Sequence, residues 1–269
     1  MKILVIYGQK YGWHNFEKEE RLLPYFNDKI QKIQIFTKVA DLSNYLKKEG
    51  AANKIYVLPL DENHMHELYN AKINALMPKK EIVDTFRNKK LFANYANKYG
   101  LSKYLPTTYT SPKISDELVI VKPCHGGASS GVYLSPLKNL TANVFNTYVV
   151  QQYINTKTEF AGYFVAKNGV IVRPCFAYSR TYPSVPYIKA QNDKTVATKI
   201  NISPNYVDDI EKFVKPSGYT GTFCVDFKLD QSGVLKVLEI NPRLGGSLSY
   251  PNNSNDAVNI ILKTIDAFN

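Results

Sequence analysis

The stretch VDFKLDQSGVLKVLEINPRLGGS, residues 225–247, sets Asp226, Glu239 and Asn241 into two otherwise apolar runs joined by the turn DQSG. Strand interiors disfavour such residues, so they face either water or a cation. With Leu229 set opposite Val234, Asp226 faces Val237, Glu239 faces Cys224 and Asn241 faces Thr222. Cross-strand neighbours share a side, so all three polar groups project from one face. The other face then carries Phe223, Val225, Phe227, Leu229, Val234, Leu238 and Ile240, broken only by Lys236. A slip of one residue would drive both carboxylates into that core, which pins the register. Two carboxylates and an amide oxygen make a hard-oxygen set of the kind magnesium accepts, with phosphate oxygens and water completing its shell. The same acids on a solvent-facing strand would need no metal. Pro242-Arg243 and Gly245-Gly246-Ser247 favour the cation, because a fixed guanidinium on a closely approachable backbone suits a reaction that builds up negative charge.

A second stretch, VIVKPCHGGASSGVYL (119–134), ends a strand on Lys122 and enters a loop with Gly126, Gly127, Ser129, Ser130 and Gly131. Glycine lets backbone N–H groups turn inward around an anion, and the serines add donors. The lysine precedes the glycines and a strand follows them, so this is not a Walker loop. A plain hairpin turn is the alternative.

At 269 residues the chain is long enough for one large domain or two closely associated ones. The net charge of +11 comes from 34 basic residues spread along the chain, without the clustered run of a nucleic-acid or membrane footprint. No apolar run reaches membrane-spanning length, and the start, MKILVIYGQKYGW, reads as a first strand and not as a secretory signal. Three widely spaced cysteines fit free thiols in a reducing, cytoplasmic setting, with no zinc spacing.

Strands are expected at 2–8, 32–38 and 54–60, and helices at 16–30 and 41–50, with Asp41 as N-cap and Gly50 as the stop. This alternation implies a small parallel sheet covered by helices. Ligands of such sheets sit at the carboxyl ends of the strands, here including YGQKYGWHN (7–15), which is not a dinucleotide fingerprint. A helix is expected over 86–100, strands over 116–123, 132–135 and 147–154, and a hairpin at Asn168-Gly169. Residues 173–203 read as irregular, followed by a helix over 206–215 and a closing helix from Ser254.

Lys89 opening a helix, Lys122 before a Gly/Ser hairpin, VVQQYI (149–154) and VDF…EINPR, in that order, resemble the ATP-grasp superfamily over about residues 86–269. The spacing of Asp226, Glu239 and Asn241 is similar to that of D-alanine–D-alanine ligases, and EINPR to carbamoyl-phosphate synthetase large subunits and related carboxylate–amine ligases. The resemblance implies a mixed α/β and α+β fold. A small N-terminal parallel α/β domain (1–85) would precede an ATP-grasp fold of two α+β subdomains (86–269), one nucleotide-binding (about 100–155) and one metal-binding and catalytic (about 156–269).

The implied roles follow by matching position. Lys89 and Lys122 hold the ATP phosphates, with Lys90 a rival for Lys89, and the loop with Gly126, Gly127 and Ser129 closes over them as a flap. Gln151 reads the adenine amino group, the backbone of Gln152 and Ile154 forms the hinge, and Tyr153 packs beside the base. An edge-strand Gln151 and a core Tyr153 are the plainer alternatives. Glu159 resembles the ribose-binding glutamate, one residue further from the hinge than usual. Asp226, Glu239 and Asn241 coordinate two Mg2+ (or Mn2+) ions, and Arg243, with Lys122, serves catalysis.

The activity implied is ATP-dependent joining of a carboxylate to an amine through an acyl phosphate, in a compact stand-alone ligase. A silent ATP-binding regulatory protein of the same fold is the alternative. The expected partners are small-molecule carboxylate and amine substrates, with neither membrane nor nucleic acid, and with self-association into a homodimer left open. Arg173, Arg180 and Lys189 are candidates to meet a substrate carboxylate. The arginine that D-alanine–D-alanine ligases carry two residues before their first metal aspartate is Cys224 here.

Overall fold

The computed structural model describes residues 1–9, 22–127, 129–188 and 196–269. β1 (Lys2–Tyr7), β2 (Lys32–Phe36) and β3 (Lys54–Pro59) form a parallel sheet in the order β2-β1-β3. The central β1 is apolar throughout its buried length, as a strand covered on both faces must be. α1 (Val39–Glu49) begins before Asp41, which lies in its first turn and not at the cap, while Gly50 ends it as expected. α2 (Glu62–Asn70) is capped by Asp61, whose carboxylate accepts from the N–H groups of Asn63 and His64.

Two helix expectations need correction. Of the span 16–30, residues 16–21 lie outside the described residues, and the remainder forms only a short 3-10 turn, Leu23–Phe26. Pro24 supplies no N–H, and the positive φ angles of Asn27 and Asp28 end the turn. The helix over 86–100 is two helices, α3 (Lys80–Arg87) and α4 (Lys89–Lys98). Asn88 between them is extended, and its side chain accepts from the N–H groups of Lys90 and Leu91 as the N-cap of α4.

β4 (Thr108–Tyr109), β5 (Leu118–Pro123), β6 (Tyr133–Pro136), α5 (Ala142–Thr147) and β7 (Tyr148–Gln152) follow. The four strands form an antiparallel sheet, β4-β7-β5-β6. Val119, Val121 and Val150 face Phe145 of α5 and Leu137 in one core. By the two-residue period of a strand, Ile120 and Lys122 face the other way.

The last sheet comprises β8 (Thr158–Lys167), β9 (Val170–Ile171), β10 (Phe176–Thr181), β11 (Thr198–Asn201), β12 (Gly221–Leu229) and β13 (Leu235–Asn241). Its order is β11-β10-β8-β12-β13, with β9 paired to β8 across the Asn168-Gly169 turn. β10 and β11 correct the irregular reading of 173–203. β11 is an edge strand without a buried position, so no apolar run marks it. α6 (Pro204–Val214) and α7 (Ser254–Phe268) take the places expected of the last two helices.

The hairpin register also departs from expectation. Cys224, Val225 and Asp226 pair with Asn241, Ile240 and Glu239, whereas Phe227 pairs with Val237. Leu238 is thus an extra residue, a β-bulge, and a bulge re-aims the side chains beside it. It moves Leu238 out of the core set, replaces Val234 with Leu235, and buries Val237 with Phe227. Asp226, Glu239 and Asn241 still share one face. Phe223, Val225 and Phe227 pack with Phe86 and Phe92 of α3 and α4, while Leu4 and Ile6 of β1 join Tyr163 and Ala257, Val258 and Ile261 of α7. Among the described residues no helix is long and apolar enough to cross a membrane.

Candidate active site

A cleft of about 820 Å³ opens between the four-stranded and six-stranded sheets, lined by Lys89, Lys122, Glu159, Arg180, Asp226 and Glu239. On its floor Asp226 of β12 lies directly opposite Glu239 of β13. The Asn241 amide nitrogen donates to both carboxylates, at 3.4 and 3.2 Å, and its oxygen accepts from Arg243 Nη2 at 3.1 Å. Arg243 Nη1 donates to the Leu244 carbonyl at 2.9 Å, and Nε stands 3.2 Å from Glu62 Oε1 of α2. Asn241 and Arg243 therefore stand behind the two carboxylates and not on the cleft lining itself.

The α4 cap aims Lys89 at this floor. Its Nζ is 3.0 Å from Glu239 Oε2 and donates to the Gly126 carbonyl at 3.0 Å. Lys90 turns away, to the carbonyl of Asn146 at 3.4 Å. Across the cleft, Lys122 donates to Gln151 Oε1 at 3.1 Å, and Gln151 Nε2 donates to Thr108 Oγ1 at 3.2 Å. Gln151 is thus buried behind Lys122 and lines no part of the cleft. Gly126, Gly127 and Ser129 form the rim, and Gly126 has φ +123°, a backbone that a side chain would strain.

The cleft continues into a more apolar pocket of about 500 Å³ that includes Ile120, Val132, Tyr153, Ile154, Lys228 and Leu238. Gln152 lines it as well, with its N–H bound to the Thr107 carbonyl at 2.8 Å. The Tyr153 hydroxyl accepts from the Tyr187 N–H at 2.8 Å. Lys228 donates to the carbonyls of Ile154 and Thr156 at 3.4 and 2.9 Å, with Nζ 5.3 Å from the centre of the Tyr153 ring. Glu159 of β8 touches both spaces and is the backbone register partner of Arg180 on β10. Arg173 is held by Asp208 away from the cleft, and Lys189 lies outside the described residues.

The charges on the floor are unequal. Burial, and then the Glu239 charge, push Asp226 well above the usual carboxylate range. Burial also opposes ionisation of Glu239, but the Lys89 ammonium and hydrogen bonds from Asp226, Lys89 and Asn241 outweigh it and hold that carboxyl down to about 2. Two buried carboxylates this close want a positive charge between them, and a proton on Asp226 fills that need when no metal does. Hard oxygen donors fit Mg2+ or Mn2+ better than a soft-ligand metal. Among the described residues no three His, Cys, Asp or Glu side chains gather to hold an ion, so Asp226 and Glu239 would supply the protein carboxylates, with phosphate oxygens and water able to complete a magnesium shell. A direct bond from Asn241 would require its amide to turn its oxygen toward the carboxylates, away from Arg243. Lys122 is lowered to about 8, mainly by burial.

Period-two alternation marks Ile120 beside Lys122 and Lys228 beside Asp226, a signal that a sequence reading can use. Leu238 was hidden by the bulge. Glu62, from the first sheet's unit, carries no local signal.

A cleft between two antiparallel sheets, with lysines on one wall and paired carboxylates on the other, defines a nucleotide-grasping fold. Residues 95–247 match the ATP-grasp domain family, and the chain belongs to it. No curated protein matches the chain. Among solved structures, a D-alanine–D-alanine ligase from Bacillus anthracis complexed with ATP shares 18% identity over 99% of this chain and 95% of its own, with TM-score 0.63. An L-amino acid ligase from Bacillus licheniformis shares 17% over 92% of this chain and 68% of its own, TM-score 0.62. A biotin carboxylase–β-γ-ATP complex from Campylobacter jejuni shares 13% over 98% and 70%, TM-score 0.64. At these identities the likeness is one of fold.

Proposed function

We propose that this chain is an ATP-dependent ligase that joins a carboxylate to an amine and forms an amide or peptide bond. The observation that carries this reading is the convergence of Asp226, Glu239 and Lys89 opposite Lys122 and the glycine loop across one cleft. The nucleotide-binding and ligase names of similarly folded structures support it. Residues 1–85 form its N-terminal unit and 86–269 its ATP-grasp unit, with the cleft between the parts at about 100–155 and 156–269.

The base lies in the apolar pocket by Tyr153, Ile154 and Leu238, with Gln152 and Ile154 offering backbone groups and Glu159 near the ribose. Gln151 acts from behind by orienting Lys122. Lys89 and Lys122 neutralise phosphate oxygens, and Gly126, Gly127 and Ser129 cover them. Asp226, Glu239 and Asn241 would hold Mg2+ or Mn2+, which supplies charge neutralisation at the triphosphate. A substrate carboxylate oxygen attacks the γ-phosphorus and the bond to the β-phosphate oxygen breaks, giving an acyl phosphate and ADP. The amine then attacks the acyl carbon, loses a proton and expels inorganic phosphate. The protein mainly positions and neutralises, and its walls exclude water from the acyl phosphate. Arg243, held by Glu62 and Asn241 behind the two carboxylates, would add positive charge to the floor on which negative charge develops.

The test is ADP and phosphate release with ATP, magnesium and a panel of amino acids and small carboxylates. Turnover is expected with at least one member, and Glu239→Gln or Arg243→Ala lowers it by roughly 10²-fold or more while the far-ultraviolet circular dichroism is unchanged. Nucleotide binding without any turnover would instead favour a silent regulatory member of the fold.

A further inference from the structure

Lys228 sets a buried ammonium against apolar neighbours. It stands on β12 two residues after Asp226, so both side chains point to the cleft face of the sheet. In the pocket beside the cleft it adjoins Ile120, Val132, Ile154 and Leu238, and it is only 5% exposed. Burial makes this lysine easier to deprotonate than an ordinary one, with the Glu159 charge opposing the shift. Keeping an ammonium in such a place costs free energy unless its donors are used. An ammonium has three of them. Two go to the linker between β7 and β8, to the carbonyls of Thr156 at 2.9 Å and Ile154 at 3.4 Å. The third has no acceptor among the described residues.

The same linker decides which way a base lies in the pocket. Gln152 gives its N–H to the Thr107 carbonyl at 2.8 Å and so has a carbonyl to offer. The Ile154 carbonyl accepts from the Thr156 N–H at 2.9 Å and from Lys228, so among the described residues Ile154 has its N–H to offer. An acceptor followed by a donor matches the 6-amino group and N1 of adenine, in that order. C2 and N3 then come next along the linker, where the Lys228 ammonium stands between the carbonyls of Ile154 and Thr156. An N–H at that point meets N3, a ring acceptor, and opposes a purine that carries a donor amino group at C2.

We propose that Lys228 is a specificity-determining residue of the nucleotide pocket: its third N–H donates to N3 of the purine and turns away bases with a 2-amino group, guanine included. The assignment rests on the nucleotide reading above and adds to it the residue that selects the base. The competing role is that of a staple between linker and strand, as Thr156 Oγ1 provides by donating to the Leu229 carbonyl at 3.0 Å. A staple would treat all purines alike.

The experiment is calorimetric titration of the wild-type protein and of Lys228→Met with the magnesium complexes of ADP, 3-deaza-ADP, in which C–H replaces N3, and 2-amino-ADP. Methionine keeps an unbranched apolar side chain and removes the donors. The wild type is expected to bind ADP about tenfold or more tighter than either analogue, the effect of one buried hydrogen bond left unmade. Lys228→Met is expected to weaken ADP binding and to bring the three ligands within about threefold of one another. Equal affinities in the wild type overturn the proposal, and if the variant fails to fold the wild-type preferences decide. A folded variant that keeps the wild-type ratios also overturns it and leaves Lys228 the staple. A wild type that binds none of the three removes the nucleotide reading and the assignment with it, an outcome distinct from tight binding without preference.

Discussion

Lys122 shows how one buried side chain ties pH to ligand binding. Burial lowers it to about 8, so the free protein loses this proton just above neutrality. Phosphate favours the charged form, so bound nucleotide raises this value. By linkage, nucleotide affinity is flat below about pH 8 and falls above it, by up to about tenfold per pH unit until the bound form also deprotonates. Calorimetric titration of a non-hydrolysable ATP analogue from pH 7 to 9.5 measures this, and Lys122→Arg flattens the curve because a guanidinium stays charged. A wild-type curve flat through pH 9.5 would contradict it. Lys122 was legible from sequence as a lysine ending a strand before glycines. The burial that sets its titration was not, because it depends on Gln151 and Thr108 from two other strands.

At the level of elements, the bulge at Leu238 decides what faces the cleft. Deleting Leu238 would restore an unbroken ladder. Asp226 would still face Glu239 and Phe227 would still face Val237, so the carboxylates keep their face and the pocket loses only the Leu238 side chain. The deletion is expected to leave the far-ultraviolet circular dichroism unchanged and to weaken nucleotide binding through the lost apolar wall, measured by calorimetry. Leu238→Ala, with the ladder kept, is expected to weaken adenosine binding by about 1–2 kcal/mol and to leave tripolyphosphate binding unchanged, measured by calorimetry. Equal losses for both ligands would place Leu238 away from the base.

Alternation and apolar runs made most strands readable, and parity placed the three polar groups on one face. The bulge was not readable, because an extra residue in one strand changes no hydrophobic count. β10 and β11 were missed for a related reason: β10 buries only Ala177 and Tyr178, and β11, at the sheet edge, buries nothing, so neither shows a sustained apolar run. The break at Asn88 was a capping signal set inside an apolar periodicity that runs across it.

For the whole molecule, the first sheet and the six-stranded sheet share a core. Leu4 and Ile6 pack in one cluster with Ala257, Val258 and Ile261 of α7, and Glu62 reaches from α2 to Arg243. Several large side chains, each contributing about 1.5–3 kcal/mol when buried, exceed a typical net stability of about 5–15 kcal/mol. A chain of residues 86–269 alone is therefore expected to show no cooperative thermal transition by circular dichroism, and a sharp melt would show that the sheets are energetically separable. The six-stranded and four-stranded sheets meet at Lys89, whose single ammonium grips both a carboxylate of the former and a carbonyl of the glycine loop that follows a strand of the latter. Whatever draws that ammonium aside gives up its hold on the loop carbonyl and on the acid in the same stroke.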